Sequence, residues 1–468
     1  MSTWFTISPW IFLLVFIIVT PILSYLLSRT NPPKRPELPI FDLITEKDRV
    51  LILAPHPDDE ALGICGILQN AIEIGIPVRV LYLTYGDHNE LAFIAYRKRP
   101  WLSPQINRNM GEVRRREAIY AMAYLGLPED NLVFLGYPDY GTLNIWKNHW
   151  GKAPPFRSLL TNVTSIPYKS SSSYGKPHKG EDILADIEQQ LLGFLPTRIF
   201  VTHPVDGNPD HRSFYLFLQV ALLNLKNRIP IPKVYTYPVH MGRWPRPHWY
   251  HPDYWLPWPR RLTDENSQSW TLELSQENVN RKYETIKLYK SQMSVSRHWL
   301  AAFARRNELF TTPQSLNLLA STSHNYHTLV VPTASTSDYE KIETETRLKS
   351  VSYQESEEGL VVKVGLKGSI EIEVEVVVYL FGYRYDKAFV EMPKICVEWG
   401  LDHLHVTDQS TPIVEPPVEI IRSLNEITMV IPWLLLGDPE ILFVQGRYVR
   451  GETPVTRTAW RVLYRKYV

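Results

Sequence analysis

His56, Asp58, Asp59 and Glu60 put one imidazole and three carboxylates at the end of the stretch Val50–Ala61, V-L-I-L-A-P-H-P-D-D-E-A. Acids packed this closely repel one another and lose hydration at a cost, so a compensating charge is required, most simply a divalent cation. His56 and Asp59 lie three apart, a spacing that lets both converge on one ion where a strand turns into a helix. Asp58 then points to the other side, close enough to a bound water to accept its proton. A third ligand must come from another strand end. Val201–Ser213, V-T-H-P-V-D-G-N-P-D-H-R-S, supplies His211 in a second polar loop. Two histidines and an aspartate with one open position make the donor set of catalytic zinc, which activates water at the vacant site. Iron or manganese would accept the same donors. The two cysteines, Cys65 and Cys396, are far apart, so neither a disulfide framework nor a thiolate metal site is expected.

Such residues need strands that end together. Val50–Leu53 is an aliphatic run of the kind found in a buried parallel strand, and ligands of open α/β folds bind at the carboxyl ends of strands. The pattern then alternates. A helix is expected from Glu60 to about Ile74, a strand over Val78–Thr84, a helix over Met110–Leu125 and a strand over Leu132–Leu135. A helix over Glu181–Phe194, strand Arg198–Thr202 and helix His211–Leu225 follow, with last helices over Gln276–Gln292 and Arg297–Asn307. This predicts a Rossmann-like, mostly parallel sheet with helices on both faces, spanning residues 46–333. Ala334–Asp338 is a Ser/Thr-rich break, and beyond it the period changes to two. Residues 339–468 therefore read as an all-β, sandwich-like domain.

The order of motifs resembles the LmbE-like/PIG-L family of metal-dependent N-acetylglucosaminyl deacetylases. The resemblance rests on H-P-D-D-E after one strand and P-D-H after a later one. It extends to Leu83–Asp87, Val113–Gly126, Gly136–Asp139 and Tyr289–Gln292, and covers roughly residues 46 to 310. It implies zinc held by His56, Asp59 and His211, with Asp58 as general base and Asp210 orienting a neighbouring histidine. Arg114 and Asp139 match positions that contact the sugar, and Asp87 falls where the family often has an acid near the substrate. One departure stands out. Many members have His-Pro-Asp-His in the second motif, whose first histidine stabilises the oxyanion or protonates the leaving amine; this chain has Asn208-Pro209-Asp210-His211. Asn208 can donate a hydrogen bond but cannot shuttle a proton. His203 and His240 are the candidates to supply the missing imidazole. Glu60 reads as a helix-start acid.

Lys+Arg 50 against Asp+Glu 49 gives a net charge of +1, which makes no case for a nucleic-acid partner. Met1–Ser28 carry no charged side chain, and Pro9–Leu27 is long enough to cross a bilayer at ~20 residues per span. Residues 1–30 are thus expected to form a transmembrane anchor, followed by a proline-rich spacer over residues 31–45. Arg29, Lys34 and Arg35 follow the span directly, so a single-pass protein with its catalytic domain on the cytoplasmic face is expected. The expected reaction is removal of an N-acetyl group from an amino sugar or glycoconjugate. Two alternatives stand beside it: a metal-dependent amidase acting on another N-acylated small molecule, and a catalytically weak carbohydrate-binding surface protein that works through its C-terminal β domain.

Overall fold

A computed structural model describes residues 32–88, 104–259, 262, 268–312, 315–318, 330–332, 347–368, 374–400, 402–450 and 453–465. The first unit runs β1 (Val50–Ala54), α1 (Asp59–Gly63), α2 (Cys65–Glu73), β2 (Val78–Thr84), α3 (Pro104–Leu125), β3 (Leu132–Tyr137), α4 (Thr142–Asn148) and α5 (Gly180–Phe194). It continues through β4 (Arg198–Thr202), α6 (Pro209–Asn224), β5 (Lys233–Tyr237), β6 (Ser269–Glu273), α7 (Gln276–Lys287), α8 (Lys290–Leu300) and β7 (Asn307–Thr311).

These strands form one seven-stranded sheet in the order β3-β2-β1-β4-β5-β7-β6. The pairs among β3, β2, β1, β4 and β5 are parallel, while β7 is antiparallel to both β5 and β6. The chain moves outward from β1 through β2 to β3, then returns to the other side of β1 with β4 and β5. Right-handed crossovers therefore put α1–α3 on one face and α4–α6 on the other. Strands β1 and β4 are neighbours where the order reverses, with Val50 opposite Arg198 and Leu53 opposite Val201. Their carboxyl ends flank the switch point, the crevice in which such sheets bind ligands. Every residue of β1 is buried, as expected of a strand covered on both faces.

Some expectations need correction. The helix expected from Glu60 breaks at Ile64, whose φ of -142 and ψ of 25 are outside the helical range. The helix expected over Arg297–Asn307 is shorter: α8, kinked at Ser296, runs to Leu300 and continues as a 3-10 turn over Ala301–Phe303, the chain leaves the helix at Ala304, and Asn307 opens β7. The short helix α4 and the strands β5, β6 and β7 lie outside the expected elements. The expected spacer is partly docked on the sheet. Phe41 N donates to Thr271 O (2.8 Å), Thr271 N donates to Pro39 O (2.9 Å), and the Phe41 ring packs edge-on against Tyr235 at 4.8 Å. Among the described residues no helix is long and apolar enough to cross a membrane. The Pro9–Leu27 span and the Ala334–Asp338 break lie outside the described residues.

Among the described residues the C-terminal region is strand, joined by turns and one short 3-10 helix (Phe389–Glu391): β8 (Ser315–Asn317), β9 (Val330–Pro332), β10 (Arg347–Glu355), β11 (Gly359–Lys367), β12 (Val374–Tyr383), β13 (Lys394–Trp399) and β14 (Leu404–Asp408). After these come β15 (Thr411–Pro412), β16 (Glu419–Arg422), β17 (Glu426–Pro432), β18 (Ile441–Arg450), β19 (Thr453–Thr458) and β20 (Arg461–Tyr464). Strands β10, β11, β17 and β16 form one sheet, and the rest build around β12 and β18 in a second. Val362, Val378, Leu380, Val397, Ile427 and Val444 fill the space between the sheets.

The opposite face of β12 and β18 joins the core of the first unit. There Trp146 of α4 is fully buried among Phe217, Phe381, Phe389, Phe443 and Trp460, with ring centroids 5.2 to 6.2 Å away. Trp146→Ala is expected to destabilise the chain by about 3–5 kcal/mol, read from its denaturant midpoint, because a cavity would open where the two units meet.

Candidate metal centre

The loops after β1 and β4 meet as the sheet order requires. His56 Nδ1 lies 3.2 Å from Asp59 Oδ2 and 3.2 Å from His211 Nε2, and His211 Nε2 lies 3.1 Å from Asp59 Oδ2. These three atoms form a nearly equilateral triangle. Tetrahedral ligands about 2.0–2.1 Å from zinc stand about 3.3 Å apart, so the triangle has the right size.

The other nitrogen of each ring is held by carboxylates. His56 Nε2 faces Asp139 Oδ1 at 3.0 Å and Asp210 Oδ2 at 3.2 Å. His211 Nδ1 lies 3.2 Å from Asp206 Oδ2, off line for a full hydrogen bond. Protons on those outer nitrogens leave lone pairs on His56 Nδ1 and His211 Nε2, both directed at Asp59. Three acceptors converging without a proton between them call for a cation. Asp59 Oδ1, buried and without a hydrogen-bond partner, adds to that demand. The donors therefore fit a divalent ion. His56, Asp139 and Asp210 make a second close grouping. Asp210, however, already accepts from Tyr140 N, Thr142 N and Thr142 Oγ1, so this grouping serves as support for His56.

Local sequence explains how each side chain is aimed. Asn208 caps α6, its Oδ1 accepting from Asp210 N at 2.8 Å, and Pro209 sits at the first helical position, where its missing N–H costs nothing. Asn208 also lines the cavity of this site. Asp58 precedes α1 with φ 127, a left-handed conformation that strains a non-glycine residue by about 1–3 kcal/mol. Arg114 ties this turn down, donating to Pro57 O (2.8 Å) and Gly86 O (3.0 Å) and pairing with Asp58 Oδ2 at 3.3 Å. Gly86 has φ +67, and a Cβ there would come within 2.2 Å of Arg114 Nη1.

Glu60 is more than a helix-start acid. It is fully buried, accepts from Asp58 N at 3.2 Å through Oε2, and receives the Tyr289 hydroxyl at Oε1. Burial pushes Glu60 up to about 8, against the Tyr289 hydrogen bond. Burial likewise pushes Asp58 up to about 7, with Arg114 opposing and Asp59 adding. For His56 burial opposes the charge, but Asp139, Asp210 and Asp59 hold its pKa well above the usual value.

A cavity of about 360 Å³ reaches the triangle at His56 and is lined among others by Asp58, Arg114, Asp139, Tyr140, Asn208, His240, Gln292 and Trp299. Of the two imidazoles considered for the missing role, His240 reaches this cavity. Its ring stacks on Trp299 at 5.0 Å, lies edge-on to His211 at 4.9 Å, and is held neutral near pKa 4 by burial. His203 is not among the lining residues. Its Nδ1 accepts from Val205 N at 3.1 Å, and burial with the nearby Arg461 charge holds it down at about 3. Asp87 is also outside the lining: it is buried, receives the Tyr168 hydroxyl, and is pushed up to about 7 by burial and then by Asp139. Asp139 both lines the cavity and backs His56.

The sequence reading misses Asp206, Tyr140 and Trp299. Asp206 sits in V-D-G-N, where Asp-Gly signals only a turn. Trp299 carries no spacing signal at all. Residues 243–258, rich in Trp, Pro and His, do not line the cavity, and Trp299 Nε1 donates to Trp244 O at 3.0 Å.

Residues 51–222 match the family model described as PIG-L, GlcNAc-PI de-N-acetylase. The chain carries a PIG-L domain. The match spans β1 through most of α6 and includes His56, Asp58, Asp59 and His211. The chain is also similar to a glucosamine-6-phosphate deaminase-like protein of Bacteroides thetaiotaomicron, at 26% identity over 30% of this chain. It spans 26% of the length of that relative. Among solved structures, a conserved protein of Thermus thermophilus is 20% identical, with 59% of this chain and 100% of that chain covered and a TM-score of 0.35. The N,N'-diacetylchitobiose deacetylase of Pyrococcus horikoshii is 18% identical, with 58% and 86% covered and a TM-score of 0.36.

Proposed function

We propose that this chain is a metal-dependent hydrolase that removes the N-acetyl group of an N-acetylglucosamine-type sugar or glycoconjugate, releasing acetate and a free amine. The observation that carries the reading is the triangle of His56 Nδ1, Asp59 Oδ2 and His211 Nε2 beside a cavity that His56 and Asp58 line. A divalent ion bound there, zinc by preference with iron or manganese as substitutes, supplies Lewis acidity toward water and the amide carbonyl.

The protein's own groups do the rest. Asp58 accepts the proton of the attacking water and returns it to the nitrogen that leaves. The amide N–H of Asn208 and the neutral ring of His240 donate to the carbonyl oxygen as it gains charge. Arg114 keeps the Asp58 turn in place, and Trp299, stacked on His240, gives the cavity an apolar wall against which a sugar can rest. His240→Asn is expected to lower kcat by about 10²–10³-fold, the usual cost of losing one oxyanion donor. His203→Asn should change kcat far less. Comparable losses in both variants would remove His240 from the chemistry.

The decisive experiment is acetate release by the zinc-loaded full chain from a panel of N-acetylhexosamine conjugates. Hydrolysis of another N-acylated molecule, with none of the sugars cleaved, would move the assignment to the general amidase. A chain that holds no metal and releases no acetate would favour carbohydrate binding through the C-terminal region. Membrane attachment through Pro9–Leu27 belongs to the same proposal and rests on the sequence. Release of the intact chain by alkaline carbonate washing of membranes would refute it.

A further inference from the structure

A second set of metal-donor side chains lies in the C-terminal region, away from the cavity. In the sheet, Val377 of β12 pairs with Glu398 of β13, and Glu398 pairs with His405 of β14. Alternation puts Glu375 on the same face as Val377, and His403 on the same face as His405. The donor atoms of Glu398, His403 and His405 lie within 4.8 Å of one another. The two imidazole centroids are 4.8 Å apart, and His403 Nε2 is 3.4 Å from Glu375 Oε1.

Two features go beyond proximity. Asp402 Oδ1 holds His403 Nδ1 at 2.9 Å, which fixes the proton there and turns the Nε2 lone pair toward the glutamates. Gly400 makes room for that ring: a Cβ at this position would come within 2.5 Å of His403 Cε1, and Gly400 N donates to His403 O at 3.0 Å. The imidazole is thus seated over bare backbone, at a position that any other residue would obstruct. Glu375 and Glu398 also crowd each other; burial and then this like charge push Glu375 up.

We propose that Glu398, His403 and His405, with Glu375 as a further donor, form a second divalent-cation site of the zinc type. Two imidazoles and two carboxylates suit tetrahedral zinc, whereas calcium and magnesium favour oxygen donors throughout. An ion held here clips three adjacent strands together at the β13–β14 hairpin. The site is open, with His403 and Glu375 side chains 27% and 28% exposed, so its affinity should be lower than that of the buried centre.

The test is zinc stoichiometry of the full chain after chelator stripping and dialysis against zinc sulfate. The wild type is expected to take two ions, and the double variant His403→Ala/His405→Ala one, with acetate release retained. His211→Ala should also take one, which separates this site from the hydrolytic centre. Asp402→Asn is expected to weaken the surface site about 10–100-fold, the usual cost of losing such an orienting partner. If circular dichroism shows the double variant misfolded, the near-isosteric Glu398→Gln gives the same readout. The proposal is overturned if the wild type takes only one ion, or if the folded variants take as many as the wild type.

Discussion

Asp58→Asn is expected to lower kcat for acetate release by about 10²–10⁴-fold, the range for loss of a general base. Zinc content and far-UV circular dichroism should not change. Asparagine keeps the size of the side chain and an oxygen for Arg114, and the ligand triangle does not use residue 58. Only the ability to take a proton is lost. Full activity in this variant would exclude Asp58 as the base. A companion, Asp58→Gly, should be equally inactive yet melt no lower than the wild type, because glycine tolerates the φ of 127 that strains aspartate. The wild-type pH profile follows from the same residue. Burial raises Asp58 to about 7, and a base must be ionised to work, so kcat/KM rises with pH through that limb and levels off above it. A cation beside Asp58 favours the carboxylate and moves the limb below 7.

The ligands were legible because chemistry and topology agree at two short motifs. A buried strand ending in H-P-D-D-E and another ending ahead of P-D-H must lie side by side if their acids and imidazoles share an ion, and β1 and β4 do so. What could not be read were contacts set by long-range packing. Glu60 looks like an exposed helix-start acid because nothing local shows that Tyr289 folds back onto it. Asp206 looks like half of an Asp-Gly turn, although its carboxylate lies beside His211. Strand β7 gives no strand signal in sequence, since its five residues carry no strict alternation; its place between β5 and β6 decides its form. The spacer's docking on β6 likewise depends on a partner more than two hundred residues later.

Removing the ion should be the other large effect, and the carboxylates behind the two imidazoles make it more than a knock-out. His211→Ala is expected to lose the buried zinc and to reduce acetate release to the background of the uncatalysed assay, since two remaining ligands cannot hold the ion tightly. Asp206→Asn and Asp210→Asn should act more mildly. Each removes the charge behind one ring, Asp206 behind His211 Nδ1 and Asp210 behind His56 Nε2, and zinc affinity at the buried centre should fall about 10–100-fold in each. Activity should then return as free zinc is raised, which it cannot do in His211→Ala. The pair also asks which acid serves which histidine. Asp210 has three other donors to satisfy, from Tyr140 and Thr142, so its substitution should disturb the β3–α4 loop as well and show a lower melting midpoint than Asp206→Asn. Asp206 instead accepts from His240 N at 2.9 Å, so its loss should also shift the His240 ring and lower kcat even at saturating zinc. Wild-type zinc affinity in Asp206→Asn would show that His211 is oriented by something other than this carboxylate.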